Sequence, residues 1–265
     1  MIRALYTAVS GMITQESRQD IITNNMANVN TVGFKSDNLQ VKSFKDVLLH
    51  NNDRVVNGIN VSNIIGSLSQ GSQIDGVATD FSGGTIQSTD SSTDFAIDGN
   101  GFFTVSRDNG ISQQNYYTRD GHFHVNSDGY LVTDSGDKVL GRPVTINGNS
   151  VSYGALGPIR GTMGKVEGDA NGLRMDGQSY KLDTVDFSNA NSLKKVGDNL
   201  YQGSNPVDNP NIKVKQYSLE KSNVNVISCM TDMMTTLRAF ESDQKVIQSI
   251  DETLDKSVNV VGSVR

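Results

Sequence analysis

The chain has 265 residues, a formal net charge of −6 and a pI near 5.0, and its lysines and arginines form no run, which excludes the basic footprint of a nucleic-acid-binding protein. Its single cysteine, Cys229, excludes an intrachain disulfide and a zinc site built from cysteines. No segment approaches the roughly 20 apolar residues of a membrane-spanning helix, so we expect no membrane insertion.

Glycine and proline divide the chain into three parts. Of the 26 glycines, 21 lie between Gly71 and Gly203, and all four prolines lie between Pro143 and Pro210. The segment from Ser222 to Val261 contains neither residue type. Because glycine and proline cost about 1 and 3 kcal/mol in a helix interior, this distribution predicts an α+β fold with a helix at each end and a β-rich middle.

The N-terminal segment predicts the first helix. Its first 12 residues carry one positive charge and lack a sustained apolar core, so we expect no cleaved secretory signal. Asparagines and Gly33 end the segment, and they favour a helix stop followed by a sharp exit. Apolar residues recur at a spacing of three and four, with a polar interruption, and form a first seam: Ile2, Leu5, Val9, Met12, Ile22, Met26 and Val29.

Residues 36–74 carry weaker signals than either neighbour. Val41, Phe44, Val47 and Leu48 are compatible with a short amphipathic piece. The residues from 51 to 72 are mostly polar and indicate a flexible or extended stretch. We therefore predict a partly extended connector over 36–74.

Residues 75–215 predict a β-rich outer domain. From Thr93 onward apolar and polar residues alternate, as at Phe103/Val105 and Phe123/Val125, which is the period of a half-buried strand. Turn sequences such as Asp120-Gly121 and Asp128-Gly129 recur every 8–12 residues or so. This pattern is typical of an antiparallel meander or barrel.

The C-terminal segment gives the clearest periodic signal. Apolar residues step by four and three from Val226 to Val261 and form a heptad seam, which predicts a long helix that needs a partner to bury it. The apolar content of the whole chain, 35%, is low, as expected of a subunit completed by its neighbours or of an extended, surface-rich monomer. The alternative for the seam is a long core helix of a globular domain. We predict that residues 1–35 and 222–265 together form a coiled-coil-like helical polymerisation domain.

Two histidines are the candidates for a metal site in this sequence. His122 and His124 share one strand face near Asp120 and Asp128, yet no further ligands can be assigned, and the same alternation fits a solvated face. The sequence has no nucleophile elbow and no phosphate-binding loop. We therefore predict no catalytic residue, no metal and no cofactor, although carboxylates far apart in the sequence could still meet in space.

Several motifs resemble the bacterial flagellar rod and hook protein family. The run from Asn24 to Lys35, NNMANVNTVGFK, is similar to the N-terminal signature of that family. The runs AIDGNGFF from Ala96 and YTRDG from Tyr117 are similar to its central motifs. The resemblance continues in SNVN from Ser222 and RAFE from Arg238, so motifs at both ends and in the middle occur in the family's order. The residues we assign to this signature are Asn25, Ala27, Asn28, Thr31, Gly33 and Phe34.

The resemblance implies a non-enzymatic subunit of the flagellar basal-body rod, the helical drive shaft that transmits torque to the hook. It implies an inner tube of packed terminal helices with the β domain outside. It also implies self-association, contact with other rod and hook subunits, and export through the flagellar type III apparatus to an extracytoplasmic location. From the two seams we predict these interface residues: Leu5, Val9, Met12, Met26, Met230, Met233, Leu237, Phe240, Ile247 and Leu254.

Two other classes of protein remain compatible with the composition. One is a peptidoglycan-active enzyme with a catalytic β-rich middle, which would need a pair of carboxylates. The other is an adhesin-like binding module on a coiled-coil stalk. Peptidoglycan turnover distinguishes the first from a rod subunit, and ordered assembly of the concentrated protein distinguishes the second.

Overall fold

The computed structural model describes residues 2–56, 59–108, 113–147, 150–161, 166–169, 172–175, 178–208 and 212–261. The chain divides into two compact units. The helical unit comprises residues 1–27, 37–79 and 225–265, and the β unit comprises residues 28–36 and 80–224. The fold is α+β, with one long helix near each end and strands between them, as the distribution of glycine and proline predicts.

The helical unit contains helices α1 and α2. Helix α1 spans Ile2–Ala27 and α2 spans Val226–Val261. Asn225 caps the start of α2, because its Oδ1 accepts hydrogen bonds from the backbone N–H groups of Ile227 and Ser228 at 3.0 and 3.2 Å. The two helices pack along each other. Their heptad-like spacing is visible, whereas a coiled-coil arrangement stays a prediction.

Two antiparallel strand pairs complete the helical unit: β1 (Asp37–Ser43) with β4 (Ser72–Thr79), and β2 (Val47–Val56) with β3 (Ile59–Leu68). The predicted connector 36–74 therefore consists largely of paired strands, and these group with the helices. The alternation of burial that marks a half-buried strand is weak here, since most side chains of β1 and the described part of β3 are exposed. The sequence of this segment likewise lacks a clear alternation of apolar and polar residues, so the strands were not evident from it.

In its described residues the β unit consists of strands of two to ten residues and one 3₁₀ turn, Ala190–Ser192. Fourteen of the strands, β7 to β20, form one antiparallel network whose main path is β14-β15-β16-β11-β7-β8-β19-β18. Two smaller ladders pair β21 with β6 and β22 with β5. The strands are β5 (Ile86–Ser88), β6 (Phe95–Asp98), β7 (Phe102–Asp108), β8 (Gln113–Thr118), β9 (Phe123–Val125), β10 (Leu131–Thr133), β11 (Lys138–Asn147), β12 (Ser150–Tyr153), β13 (Gly157–Pro158), β14 (Val166–Asp169), β15 (Gly172–Met175), β16 (Gln178–Leu182), β17 (Thr184–Asp186), β18 (Lys194–Gly197), β19 (Leu200–Gln202), β20 (Val207–Asp208), β21 (Lys213–Gln216) and β22 (Ser218–Glu220).

The core of the β unit is formed by side chains that alternate along its central strands. Phe103, Val105, Phe123 and Val139 are completely buried within it. A second cluster of aromatic rings packs around Tyr201, with Phe102, Tyr117 and Phe187 in edge-on or tilted contact. The apolar side chains that alternate in the sequence therefore lie in the core, and this core is formed by residues of the β unit alone.

One predicted turn has a different role. Asp120-Gly121 reads as a hairpin turn, but Gly121 lies where a Cβ atom would stand 1.7 Å from the carbonyl oxygen of Phe95. The backbone N–H of Phe95 donates to the carbonyl of Gly121 at 3.0 Å. Glycine is needed there because two backbone segments approach each other closely.

Candidate functional site

The face of α2 turned toward α1 repeats every three or four residues. Its half-buried or buried positions are Cys229, Met233, Thr236, Phe240, Asp243, Ile247, Ile250 and Leu254. The matching face of α1 holds Leu5, Ala8, Met12, Gln15, Gln19 and Ile22. Gly11 allows the helices to approach, since a Cβ at that position would lie 3.0 Å from Oδ2 of Asp243. The pair therefore mixes apolar side chains with polar ones such as Gln15, whose buried Oε1 has no hydrogen-bond partner.

Each helix exposes a second apolar stripe. On α2 it consists of Ile227, Met230, Met234 and Leu237, which are 77%, 50%, 54% and 38% exposed. On α1 it consists of Tyr6, Val9 and Ile13, also exposed. We call these the α2 stripe and the α1 stripe. Both have the three-and-four spacing of a helix face, so each presents a continuous apolar surface to solvent.

The ten predicted interface residues divide between these faces. Three are exposed members of the stripes, namely Val9, Met230 and Leu237. The other seven are half-buried in the helical unit: Leu5, Met12, Met26, Met233, Phe240, Ile247 and Leu254. The sequence identified the apolar positions but combined two faces into one seam. Ile227, Met234, Tyr6 and Ile13 were missing from the predicted set, although the same three-and-four spacing relates them to its members.

Asn25, in the predicted signature, joins α1 to β1. Its Nδ2 donates to the carbonyl of Asp37 at 2.8 Å, and its Oδ1 accepts from the backbone N–H of Asp37 at 3.0 Å. The side chain is buried, and its amide satisfies both the N–H and the C=O of Asp37. Aspartate at this position would lose the donor, and alanine would lose both groups.

The rest of the signature shapes the loop that follows α1. Ala27 is the last residue of α1 and is exposed. Thr31 Oγ1 donates to Asn28 Oδ1 at 3.2 Å, which closes a local turn. Gly33 has φ of +66°, and a Cβ there would lie 2.5 Å from the carbonyl carbon of Arg119. Phe34 is 3% exposed and lies under the ammonium group of Lys195, 4.2 Å from the ring centroid.

A buried charge network follows the signature. Lys35 Nζ donates to Glu220 Oε1 at 2.7 Å, and Arg119 Nη1 donates to Glu220 Oε2 at 3.1 Å. The three side chains are 0%, 3% and 2% exposed for lysine, arginine and glutamate. The backbone N–H of Gly84 also donates to Glu220 Oε1, at 2.8 Å. One carboxylate therefore joins segments that are far apart in the sequence. We call Lys35, Arg119 and Glu220 the neck triad.

Backbone hydrogen bonds reinforce the neck triad. The N–H of Gly33 donates to the carbonyl of Glu220 at 2.8 Å, and the N–H of Ser36 donates to Oδ1 of Asn223 at 2.8 Å. Burial lowers the pKa of Lys35 more than its hydrogen bond to Glu220 raises it, and the nearby charge of Arg119 lowers it further. Sequence reasoning missed Glu220, because nothing local marks a carboxylate that pairs with a lysine 185 positions earlier.

The two histidines considered as metal ligands lie beside carboxylates. His122 Nδ1 is 2.8 Å from Oδ1 of the buried Asp94, and His124 Nδ1 is 3.6 Å from Oδ1 of Asp134. Burial lowers the pKa of His122, but the hydrogen bond to Asp94 and the surrounding carboxylates outweigh it, so the pKa is raised. Burial also raises the pKa of Asp120 to about 6. Within the described part of the chain, no group of three or more possible ligands could hold a metal ion.

A polar cleft of the β unit contains acidic residues that a hydrolase could use. Arg107 binds Asp137 through two hydrogen bonds of 2.7 and 2.9 Å and binds Asp198 at 3.2 Å. Both carboxylates are therefore hydrogen-bonded to one guanidinium group. This arrangement holds the strands and loops around Arg107 together.

Three family models match the chain. The model described as "Flagella basal body rod protein" matches residues 5–35, which include the signature. The model "Flagellar hook protein FlgE/F/G D1 domain" matches residues 96–159, and "Flagellar basal body rod FlgEFG protein C-terminal" matches residues 215–260. The last of these covers the whole α2 stripe. Neither helix in the described residues is long and apolar enough to cross a membrane.

Full-length relatives agree with the family models. The chain is 34% identical to the flagellar basal-body rod protein FlgG of Bacillus subtilis, over 98% of this chain and 99% of the relative. It is 32% identical to FlgG of Borreliella burgdorferi, over 98% and 99%. It is 29% identical to the flagellar hook-basal body complex protein FlhO of B. subtilis, over the full length of both. The chain therefore belongs to the flagellar basal-body rod proteins, and it is a structural protein rather than an enzyme.

Proposed function

We propose that the chain polymerises into the flagellar basal-body rod through the two exposed helix stripes, and that this polymer transmits torque to the hook. The observation that carries the interface is the pair of apolar stripes, three side chains on α1 and four on α2, which the chain leaves in solvent. A rod subunit must offer such surfaces to its neighbours. The α1 stripe of one subunit fits the α2 stripe of the next as a heterologous contact, which propagates along a helical polymer.

The number of side chains in the two stripes is sufficient for an interface that forms only on assembly. Fully burying a side chain such as Leu237 or Met234 contributes roughly 1.5–3 kcal/mol. Seven such side chains, repeated at every contact, can stabilise a polymer although each contact is modest. The inward faces of α1 and α2 contribute differently, because they set the spacing and register of the helix pair that displays the stripes.

The partners of the chain are further rod subunits and the neighbouring hook-side subunits of the flagellum. We also propose that the chain passes through the flagellar type III apparatus before it folds. The terminal segments support export before folding, because their helices gain most of their stability from packing against partners. The final location is then outside the cytoplasm, in the basal body.

Replacing Leu237 with aspartate tests the stripe interface. A charge placed in an apolar contact without a partner costs several kcal/mol at every repeat, so Leu237→Asp should abolish ordered assembly. Ser242→Asp is the matched control, because Ser242 is an exposed residue of the same helix outside the stripe. Sedimentation and electron microscopy of the concentrated protein give the result.

Unfolding of the β unit should be the same in both variants, since the substitution lies in the helical unit. Tyr6→Asp on α1 should reproduce the loss of assembly. If Leu237→Asp assembles as well as Ser242→Asp, the stripes are not the interface between subunits.

A further inference from the structure

Two methionines stand out in the α2 stripe. Among the methionines whose side chains the structure describes, Met230 and Met234 are the exposed ones, at 50% and 54%. Met12, Met26 and Met233 are half-buried, and Met175 is completely buried in the core of the β unit. Half of the side chains in the α2 stripe are therefore thioethers open to solvent.

We propose that Met230 and Met234 form a redox-sensitive modification site, and that their oxidation to sulfoxides blocks addition of the subunit to the rod. The inference rests on the proposed function, because it requires that the α2 stripe contacts another subunit. It adds a regulation to that interface: a subunit oxidised before it assembles is excluded, and a subunit already in the polymer is protected.

The chemistry is a two-electron oxygen transfer from a peroxide. The thioether sulfur attacks one oxygen of hydrogen peroxide, the O–O bond breaks, and an S–O bond forms. The sulfur is oxidised to a sulfoxide, the proton on the transferred oxygen passes to the departing hydroxide, and the reduced oxygen leaves as one water molecule. Exposure governs the order of reaction, so Met234 and Met230 react first while α1 and α2 are packed, and every methionine of the helices reacts long before Met175.

The effect on the stripe follows from the change in polarity. A sulfoxide is polar and a strong hydrogen-bond acceptor, whereas the faces that would meet it, Tyr6, Val9 and Ile13, are mainly hydrocarbon. The two sulfurs lie four positions apart on the helix, so both oxygens enter the same apolar surface. Only the Tyr6 hydroxyl of the α1 stripe can donate to a sulfoxide, so at least one oxygen would be buried without a donor, which opposes the contact that burial of the thioethers would stabilise.

Partial oxidation of the wild-type chain tests the proposal without any substitution. The monomer is treated with hydrogen peroxide until about half of the molecules carry a sulfoxide, the peroxide is removed, and assembly is started. Pellet and supernatant are then separated, and the sulfoxide at each methionine is measured by mass spectrometry. We expect the pellet to be depleted at least fivefold in sulfoxide at Met230 and Met234, with no comparable depletion at Met26.

Leucine variants provide the second arm. Met230→Leu/Met234→Leu is compared, after peroxide, with its own untreated sample, so any change that leucine makes to basal assembly cancels. We expect peroxide to reduce assembly at least tenfold in the wild-type chain and less than twofold in this variant. Met12→Leu/Met233→Leu, on the inward helix faces, should remain as sensitive as the wild-type chain.

The outcomes separate the two proposals. If untreated wild-type protein assembles and the pellet carries as much sulfoxide at Met230 and Met234 as the supernatant, the redox site is wrong and the rod interface stands. Equal sensitivity of the wild-type chain and the Met230→Leu/Met234→Leu variant also overturns the redox site. If the untreated chain forms no polymer at any concentration, the proposed function fails and this inference fails with it.

Discussion

The β unit and the helical unit bury their apolar side chains in different ways. In the β unit, Phe103, Phe123 and Val139 are completely buried by residues of the same unit. In the helical unit, Ile227, Met230 and Met234 are at least half exposed, and so are Ile64 and Ile65 of β3. A unit that closes its own core is stable as a monomer, whereas a unit with exposed stripes reaches its full burial only against a partner. We therefore expect the β unit to fold alone and the helical unit to need a partner.

Removing the carboxylate of the neck triad is one of the two substitutions with the largest expected effect on the β unit. Replacing Glu220 with alanine leaves Lys35 and Arg119 buried without their carboxylate, which should reduce the free energy of unfolding by about 3–5 kcal/mol. The control is Asp98→Ala, which removes an exposed ion pair with Lys215 and should change little. Urea unfolding followed by tyrosine fluorescence measures both. Similar midpoints for the two variants would show that the neck triad does not stabilise this unit.

Core truncation compares the two units directly. Phe103→Ala removes a fully buried ring and should destabilise the β unit by about 3–5 kcal/mol. Met234→Ala removes an exposed side chain, so it should leave unfolding of the monomer unchanged and weaken assembly instead. Chemical unfolding of dilute protein and sedimentation of concentrated protein give the two readouts. Loss of monomer stability in Met234→Ala would mean that the α2 stripe is covered within the subunit.

Hydrogen exchange on dilute monomer compares the stability of the terminal helices with that of the β strands. We expect the terminal helices to exchange rapidly, because isolated helices are marginal and the inward faces contain polar groups such as Gln15 and Asp243. Strands β7, β8 and β11 should be strongly protected. Strong protection across Val226–Val261 would contradict the expectation and show that α2 folds without a second subunit.

Limited proteolysis should stop at the bounds of the β unit. Strands β21 and β22 pair with β6 and β5, and the N–H of Gly33 donates to the carbonyl of Glu220, so residues 28–36 and 80–224 should resist cleavage together. A recombinant fragment of residues 75–215 lacks Lys35 and Glu220 and should melt well below the fragment of residues 28–224. Equal melting temperatures for the two fragments would show that the neck triad does not stabilise the β unit.

The smallest expected effect concerns Asp120. Burial raises its pKa to about 6, above the ordinary value of 3.8, so the folded unit binds more protons than the unfolded chain between these pH values. The stability that comes from this proton is present at low pH and is lost as pH rises through about 6. Asp120→Asn should therefore stabilise the unit by about 1–3 kcal/mol at pH 7.5 and hardly at all at pH 3.5. Urea unfolding at the two pH values measures this, with Asp128→Asn, an exposed site, as control.

Some features of this protein follow from local sequence alone. The absence of glycine and proline between Ser222 and Val261 predicts the helix α2. The period of two at Phe103/Val105 and Phe123/Val125 predicts strands with one apolar face. The signature run from Asn24 to Lys35 identifies the family. These properties depend on neighbouring residues, whose spacing already contains the helix or strand period.

The burial of individual side chains, the strand pairing of residues 36–74 and the neck triad depend on the tertiary structure. The seam of α2 contains Met233 and Met230 at equivalent spacing, yet the first lies toward α1 and the second faces solvent. Residues 36–74 lack a clear period, and they form strands because β1 pairs with β4 and β2 pairs with β3. Glu220 binds Lys35 because the fold brings together two residues that lie 185 positions apart in the sequence. Burial of a charge depends on such long-range contacts, and no local pattern records them.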